Sequence, residues 1–477
     1  MRTVLLESLA AWLPETLLSL GALAVLLLGA RRPKPALAAA WLTLLCAAVA
    51  LWHAPVPPAS SPFFGLIICD PFSLAFRWLA LATTAIVLLL LMASQELEPA
   101  WRGECTSLLL LVGLGLMLMA EANHLLMAYV SMELVSLSSY ALVGFLHERR
   151  SAEAALKYLL FGALCSGIML FGMSLLFGLT GTLAFPEIAA ALAAVTGPMA
   201  SAFLVAVVLM LAGLAFKISL APFHMWTPDA YEGAPAAVTA LLSVGPKAAG
   251  LALLLRMMEA LKPAWPSLVP LLLGLTVVTM TLGNLVALAQ TNVKRLLAYS
   301  TIGQVGYLLI GFVAGTRLGY EALLVYLVAY LFMNLGAFAC VVAVVNGTGS
   351  ESVDAFRGLS RRAPVLALVC AVFLLSLAGV PPMLGFFGKL LLFGSALDAG
   401  QTGLAIVAAV NSAVALYYYV NLIRLMYFVP PSDASPLRPA FALRLALWLC
   451  AAATLGLGLY PAPVLSLVSR SAVVNLL

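Results

Sequence analysis

Charged side chains are scarce in this sequence: Asp, Glu, Lys and Arg make up 9% of 477 residues, against 64% apolar residues and a mean hydropathy of +1.11. That balance excludes a water-soluble chain. Long polar stretches are missing too, and the longest connections, around His53 to Asp70, Leu183 to Met199 and Asn346 to Arg362, are too short to fold separately. Cysteine pairing is absent. Cys46, Cys69, Cys105, Cys165, Cys340, Cys370 and Cys450 stand alone, with no C-x-x-C pair and no His at metal spacing, so the chain encodes no iron-sulfur cluster and no metal site. A P-loop, a G-x-G-x-x-G turn and paired haem-binding histidines are likewise missing. The chain therefore carries no cofactor and no redox or nucleotide chemistry of its own.

What the chain does have is apolar runs. Crossing the hydrocarbon core takes ~20 mostly apolar residues, and backbone groups inside lipid must be satisfied within the segment. These runs are too long for barrel strands, so an all-α polytopic membrane protein is expected. Runs and breakers mark fourteen spans, beginning with Leu9 to Gly29, Ala36 to Trp52, Phe72 to Ser94, Cys105 to Ala120 and His124 to Leu146. Ala152 to Thr180, Ser201 to Trp226, Ala234 to Met258, Ser267 to Ala289 and Leu296 to Ala314 follow, then Gly319 to Val345, Ala363 to Leu397, Thr402 to Tyr427 and Phe441 to Leu465. The first run exceeds a signal h-region of about 7 to 15 residues, and its basic cluster Arg31, Arg32 and Lys34 follows it, so it is read as a retained span.

Alternate loops, starting after span 1, hold fourteen of the 24 Lys and Arg residues: Arg31, Arg32, Lys34, Arg102, Arg149, Arg150, Lys294, Arg295, Arg357, Arg361, Arg362, Arg424, Arg438 and Arg444. The opposite loops hold only Arg2, Arg256, Lys262, Arg317 and Arg470, so both termini are expected on the side away from the cytoplasm. The formal charge of +5 is thus mostly topology and gives no reason to invoke nucleic acid.

Three lysines sit inside spans. Lys217 lies in the apolar run Ser201 to Pro222, Lys247 deep in span 8, and Lys389 in span 12, where it repeats the arrangement around Lys217. A lone lysine at membrane depth marks an ion or proton path. Internal repetition supports pairing Lys217 with Lys389: SSYALVGF (Ser138 to Phe145) echoes VGYLLIGF (Val305 to Phe312), and EAALKYL (Glu153 to Leu159) echoes EALLVYL (Glu321 to Leu327). Each copy holds five spans, 4 to 8 and 9 to 13, and an odd number inverts the second copy in the membrane. Proline interrupts both lysine spans, Pro222 after Lys217 and Pro381 with Pro382 before Lys389. A broken helix beside a lysine implies local hydration.

Glu133, about ten residues into span 5, completes a constellation with Lys217, Lys247 and Lys389. These groups form a relay if desolvation favours the neutral amine and an approaching counter-charge restores the ammonium. The alternative is a static ion pair of Glu133 with Lys217 or Lys247. His224, Tyr140 and Tyr307 are secondary candidates for a water path, against hydrogen-bonded or packing roles. Asp229 and Glu232 either cap the start of span 8 or gather protons.

The stretches SMELVSLSSYALVGF, KYLLFGALCSGIMLFGMSLLFGLTGT, FKISLAPFHMWTPDAYEGAPAAVTALLSVGPKAA and LAQTNVKRLLAYSTIGQVGY resemble the antiporter-like subunits of bacterial proton-pumping NADH:quinone oxidoreductase, respiratory complex I. Within that family Lys389, where the M type carries glutamate, and the short end after span 14 match the N type. The resemblance implies fourteen helices with two inverted five-helix repeats and broken helices 7 and 12. It also implies an N-terminal segment 1–104, repeats 105–258 and 259–428, and a C-terminal helix 429–477. The family's relay carries over onto Glu133, Lys217, Lys247 and Lys389, with a cytoplasmic half-channel and a horizontal polar axis. NADH, FMN, iron-sulfur clusters and quinone would belong to partner subunits. An adjacent antiporter-like subunit, small membrane subunits and lipids are the expected partners, in a bacterial inner membrane with periplasmic termini. An Mrp-type cation/proton antiporter or a related hydrogenase complex is the alternative setting.

Overall fold

The computed structural model describes residues 8–29, 33–54, 62–193, 198–431, 433 and 435–471; Arg2, Arg31 and Arg32 of the loop-charge count lie outside them. Helices α1 (Leu13–Gly29), α2 (Pro33–His53) and α3 (Pro71–Ala93) precede the repeats. The first repeat comprises α4 (Arg102–Glu121), α5 (Leu125–Val143), α6 (Arg149–Thr180), α7 (Pro198–Ile218) with its continuation α8 (Trp226–Gly233), and α9 (Ala236–Leu261). The second comprises α10 (Trp265–Ala287), α11 (Val293–Ala314), α12 (Arg317–Thr348), α13 (Pro364–Ala378) with α14 (Leu384–Asp398), and α15 (Thr402–Phe428); α16 (Phe441–Leu459) follows. Twelve of the described helices are long and apolar enough to cross a membrane. With α1 and the split pair α13 and α14, they account for the fourteen expected spans.

The repeat is visible in detail. Helices α6 and α12 both run for 32 residues and both end on a left-handed glycine, Gly181 and Gly349. Isolated bridges pair His124 with Ala184 and Asn292 with Ser352, and the two bridges keep the same spacing as those two glycines. His124 and Asn292 each cap the helix that follows, accepting from the amides of Leu126 and Lys294. Such a cap satisfies donors that a helix start leaves open.

The breaks repeat at a shorter spacing. Ser219 N–H donates to Phe216 O and Leu220 N–H to Ala215 O; Gly379 N–H donates to Ser376 O and Val380 N–H to Leu375 O. Ser219 and Gly379 both have positive φ, 64° and 89°, and cis peptides follow at Ala221–Pro222 and Pro381–Pro382. The spacing contracts chiefly because α13 has 15 residues where α7 has 21. Matching the breaks residue by residue sets Ser219 against Gly379 and Pro222 against Pro382, and does not set Lys217 against Lys389. The expected equivalence of these two lysines is therefore corrected. Lys217 precedes its break and Lys389 follows its own.

The most enclosed spans are α9, α11 and α12, with 100%, 94% and 89% of their apolar windows buried, whereas α2 and α10 have only 28% and 33%. Lys247 thus stands on the central helix. Charged clamps close both ends of the bundle. At one, Arg150 pairs with Glu232 and Glu351, Arg295 with Asp229 and Glu232, Lys157 with Asp229, and buried Lys294 with Glu351. These pairs tie the first repeat to the second. Asp229 and Glu232 are ion-paired in that network, and Glu96 caps α9, accepting from Ala236 N–H at 2.8 Å.

At the other end Asp70 serves twice. It caps α3 through Ser73 and accepts from both Arg256 guanidinium nitrogens, at 2.6 and 2.5 Å. Burial pushes the Asp70 carboxyl up, but the hydrogen bonds and charge of Arg256 outweigh it and hold it below the usual range. Removing one partner of such a buried pair costs about 3–5 kcal/mol, so Arg256→Met should lower the thermal stability of the purified protein accordingly. A lowered folded-state pKa stabilises above the free value and is lost as pH falls through the folded one. The stability gap between the native chain and Asp70→Asn should hold above about pH 4 and close below it, as thermal melts across pH would record.

Candidate functional site

In the first repeat, α5 carries Glu133 and Ser136 one turn apart, so both project from one face. The Glu133 carboxylate accepts a short hydrogen bond from Ser166 Oγ of α6. Lys217 is fully buried and its Nζ donates to Ser136 Oγ at 3.0 Å. No direct ion pair joins Glu133 to Lys217 or Lys247 among the described residues, so Ser136 is the group that faces the lysine. Tyr140, one turn beyond Ser136, packs edge-on against Tyr158, which stacks on Trp226 at 4.0 Å.

Trp226 forms the link to the second amine. Lys247 Nζ lies 4.5 Å from its ring centre and 5.2 Å from that of Tyr231, and it has no hydrogen-bond partner among the described residues. The last turn before the break places that indole, since Trp226 Nε1 donates to Phe216 O, the carbonyl next to Lys217 that also accepts from Ser219 N–H. Aromatic faces accept a cation without committing it to a fixed partner.

A string of polar groups leads from Lys247 toward Lys389. Ser243, one turn before Lys247 on α9, accepts from Asn334 Nδ2 at 2.7 Å, and its carbonyl accepts from Tyr330 O–H at 3.0 Å. Tyr330 O–H also lies 3.1 Å from Thr301 Oγ1. One turn further along α11, Gln304 donates to Tyr419 Oη at 3.2 Å and to Leu377 O at 3.1 Å, and accepts from Tyr326 O–H. Lys389 Nζ donates to the next carbonyl, Ala378 O, at 3.1 Å and to Ser412 Oγ at 3.1 Å, and lies 4.4 Å from the Tyr307 ring centre. Gln304 and Lys389 therefore hold adjacent carbonyls at the end of α13, both released by the break after it. Tyr307 Oη accepts from Asn284, which also accepts from Tyr418 O–H.

The structure thus brings Glu133, Lys217 and Lys247 into one cluster with Tyr140 beside it, and sets Tyr307 under Lys389. It leaves His224 apart, half-buried just after the first break with Nδ1 unpartnered among the described residues. Sequence reasoning missed Ser136, Ser243, Gln304, Tyr326, Tyr330 and Asn334. The available signal was polar residues at helical spacing in apolar runs, Gln304 with Thr301 and Asn334 with Tyr330. At the face where α9 starts, a cavity of about 810 Å³ is lined by Glu96, Glu148, Arg150, Glu232 and Glu351.

Inverted five-helix repeats with buried amines on two interrupted helices define an ion-translocating membrane bundle. The chain belongs to the family described as NADH:quinone oxidoreductase/Mrp antiporter, TM, which matches residues 122–415. It is 47% identical over 434 residues to NADH-quinone oxidoreductase subunit N 2 of Sorangium cellulosum, covering 86% of this chain and 85% of that one. A chain of respiratory complex I from Thermus thermophilus with bound aureothin superposes with a TM-score of 0.81 at 35% identity, covering 95% of this chain and 98% of that chain. A chain of the Mrp complex from Dietzia sp. DQ12-45-1b shares the fold, with a TM-score of 0.85 at 23% identity over 98% and 97% of the two chains.

Gln304→Leu would strip partners from the Leu377 carbonyl and the Tyr326 hydroxyl. A buried polar group left unsatisfied costs about 1–3 kcal/mol, and a loss of that size is expected in thermal denaturation of the purified variant.

Proposed function

We propose that this chain is the N-type, proton-translocating antiporter-like subunit of an NADH-quinone oxidoreductase, moving protons through Glu133, Lys217, Lys247 and Lys389. The observation that carries this reading is the string of buried polar groups between Lys247 and Lys389, ending at the adjacent Leu377 and Ala378 carbonyls, the first held by Gln304 and the second by Lys389. A proton entering from the cavity near Glu96 reaches the first cluster, where Glu133 and Ser136 on one face of α5 hand it to Lys217. Lys247, seated against the Trp226 and Tyr231 faces, accepts the proton, and transfer along hydroxyls and bound water delivers it to Lys389. Release there returns Lys389 to a neutral amine. Each amine gains and loses one proton, so the sites reset after every transfer.

No redox step belongs to this chain. NADH, FMN, iron-sulfur clusters and quinone are assigned to partner subunits, and an adjacent antiporter-like subunit and small membrane subunits to its flanks. The half-buried Glu133 side supports such a neighbour, because a carboxylate facing lipid alone is costly. The loop charges support an inner-membrane setting with both termini periplasmic.

Lys247→Ala in the assembled complex should lower proton uptake coupled to quinone reduction by about tenfold or more, since a positioned proton-transfer group contributes on the order of 10²- to 10⁴-fold. Unchanged pumping and turnover with intact assembly would sink the relay. Sodium/proton exchange by the isolated chain in liposomes would favour the independent antiporter reading.

A further inference from the structure

Outside the lysine string lies a second buried charge cluster. Glu15 on α1 and Glu121 at the end of α4 are wholly enclosed, and Arg77 on α3 is 3% exposed between them. Arg77 Nε lies 2.9 Å from Glu15 Oε1 and makes a closer contact with Glu121 Oε1. Its remaining reach goes to Ala11 O at 3.3 Å and Cys69 Sγ at 3.7 Å. The neighbouring charges come from the residue before α3 and from α9, Asp70 and Arg256, and they neutralise one another. Among the described residues no other cation is left to balance the cluster, so two carboxyls face a single guanidinium.

Two ionised carboxylates here would leave one net negative charge in an apolar interior, at a cost far above that of protonating one of them. Two observations point to the proton. Oε1 of Glu15 and Oε1 of Glu121 both crowd the one Arg77 Nε, which holds the two carboxyls side by side, an arrangement that two anions resist and that one shared proton relieves. Apart from Arg77, all four carboxyl oxygens lack a donor among the described residues. A shared proton supplies that donor.

We infer that Glu15 and Glu121 form a proton-binding carboxyl dyad, clamped by Arg77, that holds one proton between them at neutral pH. The site is separate from the lysine string and does not depend on it. It lies at the end of the bundle where α9 closes on Arg256, nine residues beyond Lys247, or about 14 Å along the helix. Arg256 Nε donates to Ala120 O, the carbonyl next to Glu121, so the backbone beside the dyad is tied to the helix that carries the central amine.

Infrared difference spectroscopy on the membrane-embedded complex containing this chain tests the assignment. The native chain should show a protonated-carboxyl stretch that shifts in deuterium oxide and vanishes in both Glu15→Gln and Glu121→Gln, since the remaining glutamate then ionises against Arg77. Assembly and electron transfer should stay within about twofold of native in these variants, because the amide replaces an already protonated carboxyl at no change in charge. Glu15→Asp and Glu121→Asp, which keep the acid, should move the band instead of abolishing it, and they give the reading if a Gln variant fails to assemble. A spectrum with no band altered by any of the four substitutions overturns the dyad. So does a band that answers to sodium and not to deuterium, which would place a cation there.

Discussion

Backbone groups freed inside a membrane must find partners, and the structure is organised around the two places where this bundle breaks its own ladders. After α7 the freed Ala221 N–H finds Thr279 Oγ1 of the other repeat, and the Trp226 indole joins Ser219 N–H on the Phe216 carbonyl. After α13 the Leu377 and Ala378 carbonyls take Gln304 and Lys389. Each repair draws a polar side chain to mid-membrane that would otherwise be excluded. The anchor of Lys389 is a product of the second repair, and the aromatic seat of Lys247 is fixed by the indole's bond beside the first break. Interruption and ionisable chemistry are one design.

The ends of the bundle answer a different requirement. If the breaks supply room for protons, the halves on either side must not drift, and the ion pairs among Arg150, Glu232, Arg295, Asp229, Lys294 and Glu351 hold α6, α8 and α11 together. Most are partly exposed, and a single such pair contributes little. Their value lies in the shared network and in fully buried Lys294, which also donates to Ala234 O at 2.7 Å just ahead of α9. That contact seats the start of the helix carrying Lys247.

Much of this was legible in the sequence, for a physical reason. Spans are written as apolar runs that lipid demands, and breaks as prolines that lipid tolerates only for cause, so all fourteen spans and both interruptions could be read. Lys217, Lys247 and Lys389 stood out because charge is so rare around them. The pairing of Lys217 with Lys389 failed because sequence offset counts every residue of loop and helix alike, while equivalence at a break is set by φ and hydrogen bonds. Gln304, Tyr326 and Asn334 were silent because uncharged polar residues are common in membrane helices, and their meaning comes from partners on other helices. Glu15, Arg77 and Glu121 lie near span ends, where charge looks interfacial until α1, α3 and α4 enclose it.

Spans 7 and 12 run in opposite directions, so an amine before one break and an amine after the other lie toward the same membrane face. The pseudo-twofold axis that exchanges the repeats therefore does not exchange the amines. A fully self-symmetric bundle would conduct alike from both faces; this one is polar by construction. Its backbone is a symmetric frame, and the offset of two side chains gives that frame two unlike faces.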